Sequence, residues 1–291
     1  MREPMNSRHS GSRNNSGRRD GVPDLLPGAE PFFFPGNRTG CLLIHGFTGS
    51  PFEMRPMGEY LEGRGYTTLG VRLFAHATQP EDMVRATWQD WMRSVIGGWH
   101  ILQGACDRIY LLGLSMGGLL SLMFAAQPYA ERYPVAGVVA MSTPYALRPD
   151  PRLPYIKLLR WFMPRLEKGP NDFQDAQAAQ THVAYPYYPT RAIAELRDLV
   201  AEVQAALPEV KAPVLLVHSR LDTANGDIDP ESMQHIYEHL GSQDKEMLWL
   251  ESSGHVITRD QERERLFLAA GEFIERTTKI RHNEEKSDSS K

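Results

Sequence analysis

Ile109-Tyr110-Leu111-Leu112-Gly113-Leu114-Ser115-Met116-Gly117-Gly118 runs from an apolar, strand-like stretch, through a serine set between two glycines, into a helix-forming stretch. A chain that turns from strand to helix this sharply has no room for Cβ atoms beside the turning residue, and the turn lifts the serine hydroxyl clear of the sheet. Ser115 is therefore read as a nucleophile. The plainer alternative is a serine that only caps the following helix through its oxygen. The strand before it and the helix after it favour the first reading.

Outward from this turn, compact apolar runs alternate with longer helical patterns. Cys41 to His45, Thr67 to Leu73, Ile109 to Ser115, Val135 to Met141, Val214 to Ser219 and Glu246 to Leu250 read as strands buried on both faces. Trp88, Trp91, Val95, Trp99 and Leu102 form one apolar stripe at helical spacing, read as core packing. Ser50-Pro51-Phe52-Glu53 reads as a capping box opening a helix toward Gly63, and Ile193 to Leu207 and Leu266 to Ile274 mark two more helices. The alternation predicts an α/β fold with a mostly parallel sheet flanked by helices. Residues 25–144 and 191–280 would form the core. Between them, 145–190 is rich in proline and aromatics and carries no run that could join the sheet, so it reads as a small inserted cap, with Trp161 and Phe162 set over an acyl pocket as substrate-binding residues.

A serine hydroxyl is a poor nucleophile at neutral pH, so a base must reach it and a carboxylate must hold that base in the right tautomer. On this kind of sheet the acid follows a later strand and the histidine follows the last. Asp222 comes shortly after the Val214 to Ser219 run, and His255 shortly after Glu246 to Leu250. Of the ten histidines, His218 falls inside a strand, His235 and His239 on a polar helix, His182 in the insertion, and His9 and His282 in the tails. His45 follows a strand but precedes the serine, where shaping a turn suits it better than acting as base. For the acid, Asp227 and Asp229 compete with Asp222 in one long polar loop; Asp222 is preferred over Asp227 because the carboxylate should project from the strand end itself. The developing oxyanion needs backbone donors, and the N–H groups of Met116, at a helix N-terminus, and Phe47, in His45-Gly46-Phe47-Thr48-Gly49, are the candidates.

Composition bounds the rest. With 291 residues, 41% of them apolar and 23% charged, one large α/β domain with an insertion is the expectation. A net charge of −4, with basic residues scattered along the chain, argues against a nucleic-acid partner. Two cysteines, Cys41 and Cys106, supply neither a disulfide framework nor a metal pattern, so no metal or cofactor is expected and a reducing cytoplasm fits. No run reaches the roughly 18 apolar residues of a membrane span, so no stable membrane insertion is expected. Residues 1–24 and 281–291 read as disordered tails, and the protein as a monomer or homodimer.

Leu43-Ile44-His45-Gly46-Phe47-Thr48-Gly49-Ser50-Pro51, Thr87-Trp88-Gln89-Asp90-Trp91, Gly113 to Gly118 and Ser253-Gly254-His255-Val256-Ile257-Thr258 together resemble the bacterial carboxylesterase and monoacylglycerol lipase family of small α/β-hydrolases, over about residues 30 to 278. The resemblance implies the α/β-hydrolase fold and a cofactor-free hydrolysis of short to medium acyl esters and monoacylglycerols. By it, Ser115, Asp222 and His255 are the triad, Phe47 and Met116 the oxyanion donors, and Tyr145 to Thr190 the cap. Two departures stand out. Phe74-Ala75-His76-Ala77-Thr78 replaces a Gly-His-Gly stretch, and the loop from Asp222 to Pro230 is lengthened. The same machinery on an amide, thioester or carbon–carbon bond is the alternative, and a non-catalytic binding protein on this fold a further one.

Overall fold

The strand-sized apolar runs do form strands, and their side chains alternate between two cores except in the last run, 245–250, an edge strand where Glu246 and Met247 are exposed rather than buried as expected. A computed structural model describes residues 24–288 except 160, 170–171 and 223–230. Among the described residues, β1 (Phe32–Phe34), β2 (Thr39–Ile44), β3 (Thr67–Val71), β4 (Arg108–Leu114), β5 (Gly137–Met141), β8 (Val214–Ser219) and β9 (Lys245–Leu250) make one sheet in the order β1-β3-β2-β4-β5-β8-β9. All its pairings are parallel except β1 with β3. Leu42, Ile44, Leu111, Val138 and Leu216 face one core, and Cys41, Leu43, Leu112, Val139 and Leu215 face the other, the two-residue period of a strand buried on both sides.

Helices α2 (Trp88–Gln103), α3 (Met116–Phe124) and α7 (Thr190–Ala206) cover the first face, while α1 (Arg55–Gly63) and α9 (Arg263–Asp288) cover the second. Two short helices, α4 (Tyr129–Arg132) and α8 (Ser232–His239), complete the connections. α2 opens with a reciprocal box in which the Thr87 N–H donates to the Asp90 carboxylate at 2.9 Å and the Asp90 N–H to Thr87 Oγ1 at 3.4 Å. Its tryptophan stripe packs as core: Trp91, Val95, Trp99 and Leu102 are buried. No helix among the described residues is long and apolar enough to cross a membrane.

Three readings need correction. β1 escaped the sequence pattern because three phenylalanines show no periodicity, and prolines on either side confine it to the sheet edge. The predicted box at Ser50 and Glu53 does not form. Pro51–Glu53 is a 3-10 turn, the Ser50 hydroxyl donates to the Val183 carbonyl at 2.9 Å, and the Glu53 carboxylate goes elsewhere. The frayed tail expected at 281–291 is helical as far as Asp288. Extending an existing helix adds one hydrogen bond per residue ordered, and glutamate and lysine are good helix formers. The extension expected at 1–24 falls almost entirely outside the described residues.

The insertion at 145–190 contributes α5 (Ile156–Leu159), β6 (Arg165–Glu167), α6 (Ala176–Thr181) and β7 (Tyr187–Pro189). β6 and β7 pair only with each other, antiparallel, and neither joins the main sheet. Because Trp91 is fully buried between sheet and helices, Trp91→Ala should cost about 3–5 kcal/mol in chemical denaturation. A loss below about 1 kcal/mol would contradict the core assignment of the stripe.

Candidate active site

Parallel pairing of β4, β5, β8 and β9 brings their carboxyl ends to one rim, and the loops leaving that rim carry the predicted residues. Ser115 stands between β4 and α3 with φ 55° and ψ −117°, a conformation that costs a non-glycine residue roughly 1–3 kcal/mol and persists because its surroundings impose it. Its N–H donates to the Met141 carbonyl of β5 at 2.7 Å. A Cβ at Gly117 would run into the Ile44 carbonyl of β2, so the helix could not start this close to the sheet with any other residue there.

Asp222, three residues beyond β8, and His255, five beyond β9, meet. His255 Nδ1 lies 2.9 Å from Asp222 Oδ2 and 3.0 Å from Oδ1, and the Asp222 residue is only 4% exposed. The contact fixes the proton on Nδ1 and leaves Nε2 as the basic nitrogen. Asp227 and Asp229, the rivals for the acid, lie outside the described residues. Among the described residues the Ser115 hydroxyl takes part in no hydrogen bond, so the row is closed between Asp222 and His255 and open at the serine. Contacts of this kind tighten when substrate enters.

Charge distinguishes His255 from the other buried histidines. Burial lowers His45, His182 and His218 to about 4 and takes His76 well below its ordinary value. His45 is held by Nδ1 on the Gly46 carbonyl at 2.9 Å and accepts the Leu73 N–H on Nε2 at 3.1 Å, so it shapes the turn. His218 accepts the Thr143 N–H at 2.8 Å within the core. Burial also pulls His255 down. The Asp222 carboxylate, by charge and hydrogen bond, with Asp172 and Glu53 behind it, outweighs that effect and raises it to about 9.

The loop after β2 forms the opposite wall. Phe47 sits between Gly46 and Thr48, which takes φ 61°, and Met116 is the first residue of α3, whose N–H the helix leaves without an acceptor. Glu53, 4% exposed, accepts the Gly46 N–H at 2.9 Å, and His182 of the insertion stands 3.6 Å from it. Burial raises this carboxyl to about 7. Ala75 and Ala77, where a Gly-His-Gly stretch was expected, both adopt φ 60°, so alanine here carries glycine's conformation at a cost of about 1–2 kcal/mol each.

Trp161 and Phe162, expected over an acyl pocket, are 74% and 78% exposed, and the nearby Tyr155 and Leu158 are also exposed, at 64% and 61%. α5 has only four residues, too few to present a full apolar face, and Ile156 alone turns inward. Sequence reasoning missed Glu53, read as a helix cap, and two carboxylates at the histidine loop, Asp172 and Asp260. Asp172 comes from 83 residues away, whereas Glu53 and Asp260 are only 7 and 6 residues from amides they accept, and no local pattern signals these contacts.

The chain as a whole is matched by known proteins. The model of a family described as serine aminopeptidase S33 matches residues 36–262. The chain is similar to a thermostable monoacylglycerol lipase of Bacillus sp. strain H-257, 33% identical over 86% of this chain and 96% of the relative. It is also 31% identical to a carboxylesterase of Bacillus subtilis strain 168, over 85% of this chain and 96% of the relative. Among solved structures, one from work on LipS and LipT, two metagenome-derived lipolytic enzymes, superposes with a TM-score of 0.79 at 34% identity, covering 87% of this chain and 100% of that one. On its strand–serine–helix turn, its sheet order and these matches, the chain belongs to the serine aminopeptidase S33 family and has the α/β-hydrolase fold.

Proposed function

We propose that this protein is a carboxylic ester hydrolase that cleaves esters of short to medium acyl chains, monoacylglycerols among them, through an acyl-enzyme on Ser115. The observation that carries the reading is the Asp222–His255 pair standing at the same rim as the strained serine turn. The relatives named as a monoacylglycerol lipase and a carboxylesterase, aligned over nearly their whole length, support the ester as the bond.

In this mechanism Ser115 Oγ attacks the ester carbonyl carbon while His255 Nε2 takes the hydroxyl proton. The imidazolium that forms is stabilised by the Asp222 carboxylate on Nδ1. Negative charge gathers on the former carbonyl oxygen, where the Phe47 and Met116 N–H groups receive it. Collapse of the tetrahedral species breaks the bond to the alcohol oxygen, which leaves with the proton held by His255. A water molecule then attacks the acyl carbon, gives its proton to His255, and the carboxylic acid departs as Ser115 is restored.

Ser115→Ala should lower kcat for p-nitrophenyl acyl esters by a factor on the order of 10³–10⁶ and abolish labelling by a fluorophosphonate. Full activity in that variant would remove the nucleophile, and a panel of matching amide and thioester substrates fixes the bond. The base must be neutral to accept a proton. With His255 raised to about 9, kcat/KM should climb with pH beyond the ordinary histidine range and level off only as the imidazole loses its proton. Asp222→Asn withdraws the charge that raises it, moving that limb to lower pH while reducing kcat by about 10³–10⁴-fold. An acid limb centred near 6.5 in the unaltered enzyme would contradict the electrostatic account.

A further inference from the structure

We propose that Asp172, supplied by the insertion, is a positioning residue for the catalytic histidine: its carboxylate receives the backbone N–H of His255 and fixes the peptide from which the imidazole projects. The proposal rests on the role given to Ser115 and His255 above. Asp172 Oδ2 lies 2.8 Å from the His255 nitrogen, and the residue is only 5% exposed. The peptide at 254–255 lies beyond β9 and has no neighbouring strand to hold it. It is instead gripped by two buried carboxylates, one from each side of the seam between insertion and core.

The second carboxylate is Asp260, fully buried, which accepts the Gly254 N–H at 2.6 Å and, from the insertion, the N–H groups of Gln174 and Asp175 at 3.0 Å and 2.7 Å. The two acids work crosswise. Asp172 reaches from the insertion to the histidine loop, and Asp260 from beside that loop back to the insertion. The fit is close enough that a Cβ at Gly254 would collide with the Asp172 carbonyl oxygen. Hydrogen bonds to ionised acceptors are short and about twice as strong as neutral ones, so consecutive N–H groups at 254 and 255 leave the loop little freedom. A general base must be held within about 0.5 Å of its working position, and a displacement of about 1 Å costs as much as 10²-fold in rate.

The same region anchors the other side of the site. The Tyr185 N–H donates to the Thr48 carbonyl at 2.9 Å, and the Ser50 hydroxyl to Val183 at 2.9 Å. Residues 172–185 therefore act as a strap joined to both catalytic loops. Asp172 also adds charge. The titratable groups that face His255 are Asp222, Asp172, Glu53, His182 and His218, and of these the three carboxyl groups favour the imidazolium.

The test compares wild type, Asp172→Ala, Asp172→Asn and Ser115→Ala in p-nitrophenyl butyrate hydrolysis across pH, with the rate of fluorophosphonate labelling of Ser115 as a readout independent of substrate. Thermal melting establishes that each variant is folded. Asp172→Ala should lose about 10–100-fold in kcat and in labelling rate, with KM changed less than about threefold. Asp172→Asn keeps an acceptor for the His255 N–H and should recover most of kcat. It removes a negative charge beside the imidazole, so its acid limb should move to lower pH, which a merely structural staple would not do. If Asp172→Ala fails to fold, the isosteric asparagine variant decides alone through that limb. Wild-type kcat in folded Asp172→Ala, or an unmoved acid limb in Asp172→Asn, overturns the proposal. Full activity in Ser115→Ala, or no labelling of the wild type, overturns the serine mechanism instead, so the two failures are separable.

Discussion

Ser115 is held in a backbone conformation that no serine would adopt alone, and most of the architecture can be understood as what enforces it. The β4 strand ends in the middle of the sheet, its last N–H bonds reach β5, and α3 begins so near β2 that only glycine fits at 117. The conformational cost of one to three kcal/mol is met by the two cores on either face of the sheet, which leave the strand no alternative path. In return the hydroxyl stands at the rim, where α3 begins.

Around this turn the protein sorts its buried titratable groups by surroundings rather than by type. His45, His76 and His218 are buried where no carboxylate offsets desolvation and are kept neutral as hydrogen-bonding fixtures of the core and loops, and His182 is lowered likewise although Glu53 stands 3.6 Å from it. His255 alone among these is surrounded by carboxyl groups and is made more basic. Glu53 shows the opposite response, a carboxyl raised toward 7 because burial outweighs its one backbone donor. The proposed site, which would accept a proton on one imidazole and hold negative charge at two amides, draws on this contrast.

The insertion meets the core through polar as well as apolar contacts. Aromatics at 161 and 162 look in the sequence like the lining of a pocket, yet solvent covers most of each. Beside the apolar Ile156, Ala178 and Tyr185, the insertion buries polar contacts: Asp172 on the histidine loop, and the backbone at 183–185 on the loop carrying Phe47. Hydrophobic clusters of a few residues on a four-residue helix cannot bury a face, whereas a single carboxylate given two or three N–H groups can organise a loop.

What the sequence determined by itself was whatever depends on local pattern. Six strands of the main sheet were legible because each is a short apolar run between turn residues, and the tryptophan helix because of its apolar stripe, while its capping box emerged only in the structure. The serine turn was legible because steric exclusion of side chains leaves glycines at fixed offsets, and the order of strands then pointed to Asp222 and His255. Tertiary structure alone decided which partners the remaining polar groups take. Glu53 carries a pattern for capping its own helix but bonds Gly46, since the folded loop offers its carboxylate a buried amide in place of a solvated one. Asp172 is 83 residues from the amide it receives, and nothing in its neighbours announces that contact. Period and propensity act over a few residues, while desolvation and hydrogen-bond satisfaction act on whatever the fold brings together, and only the second sets the charge and position of the His255 imidazole.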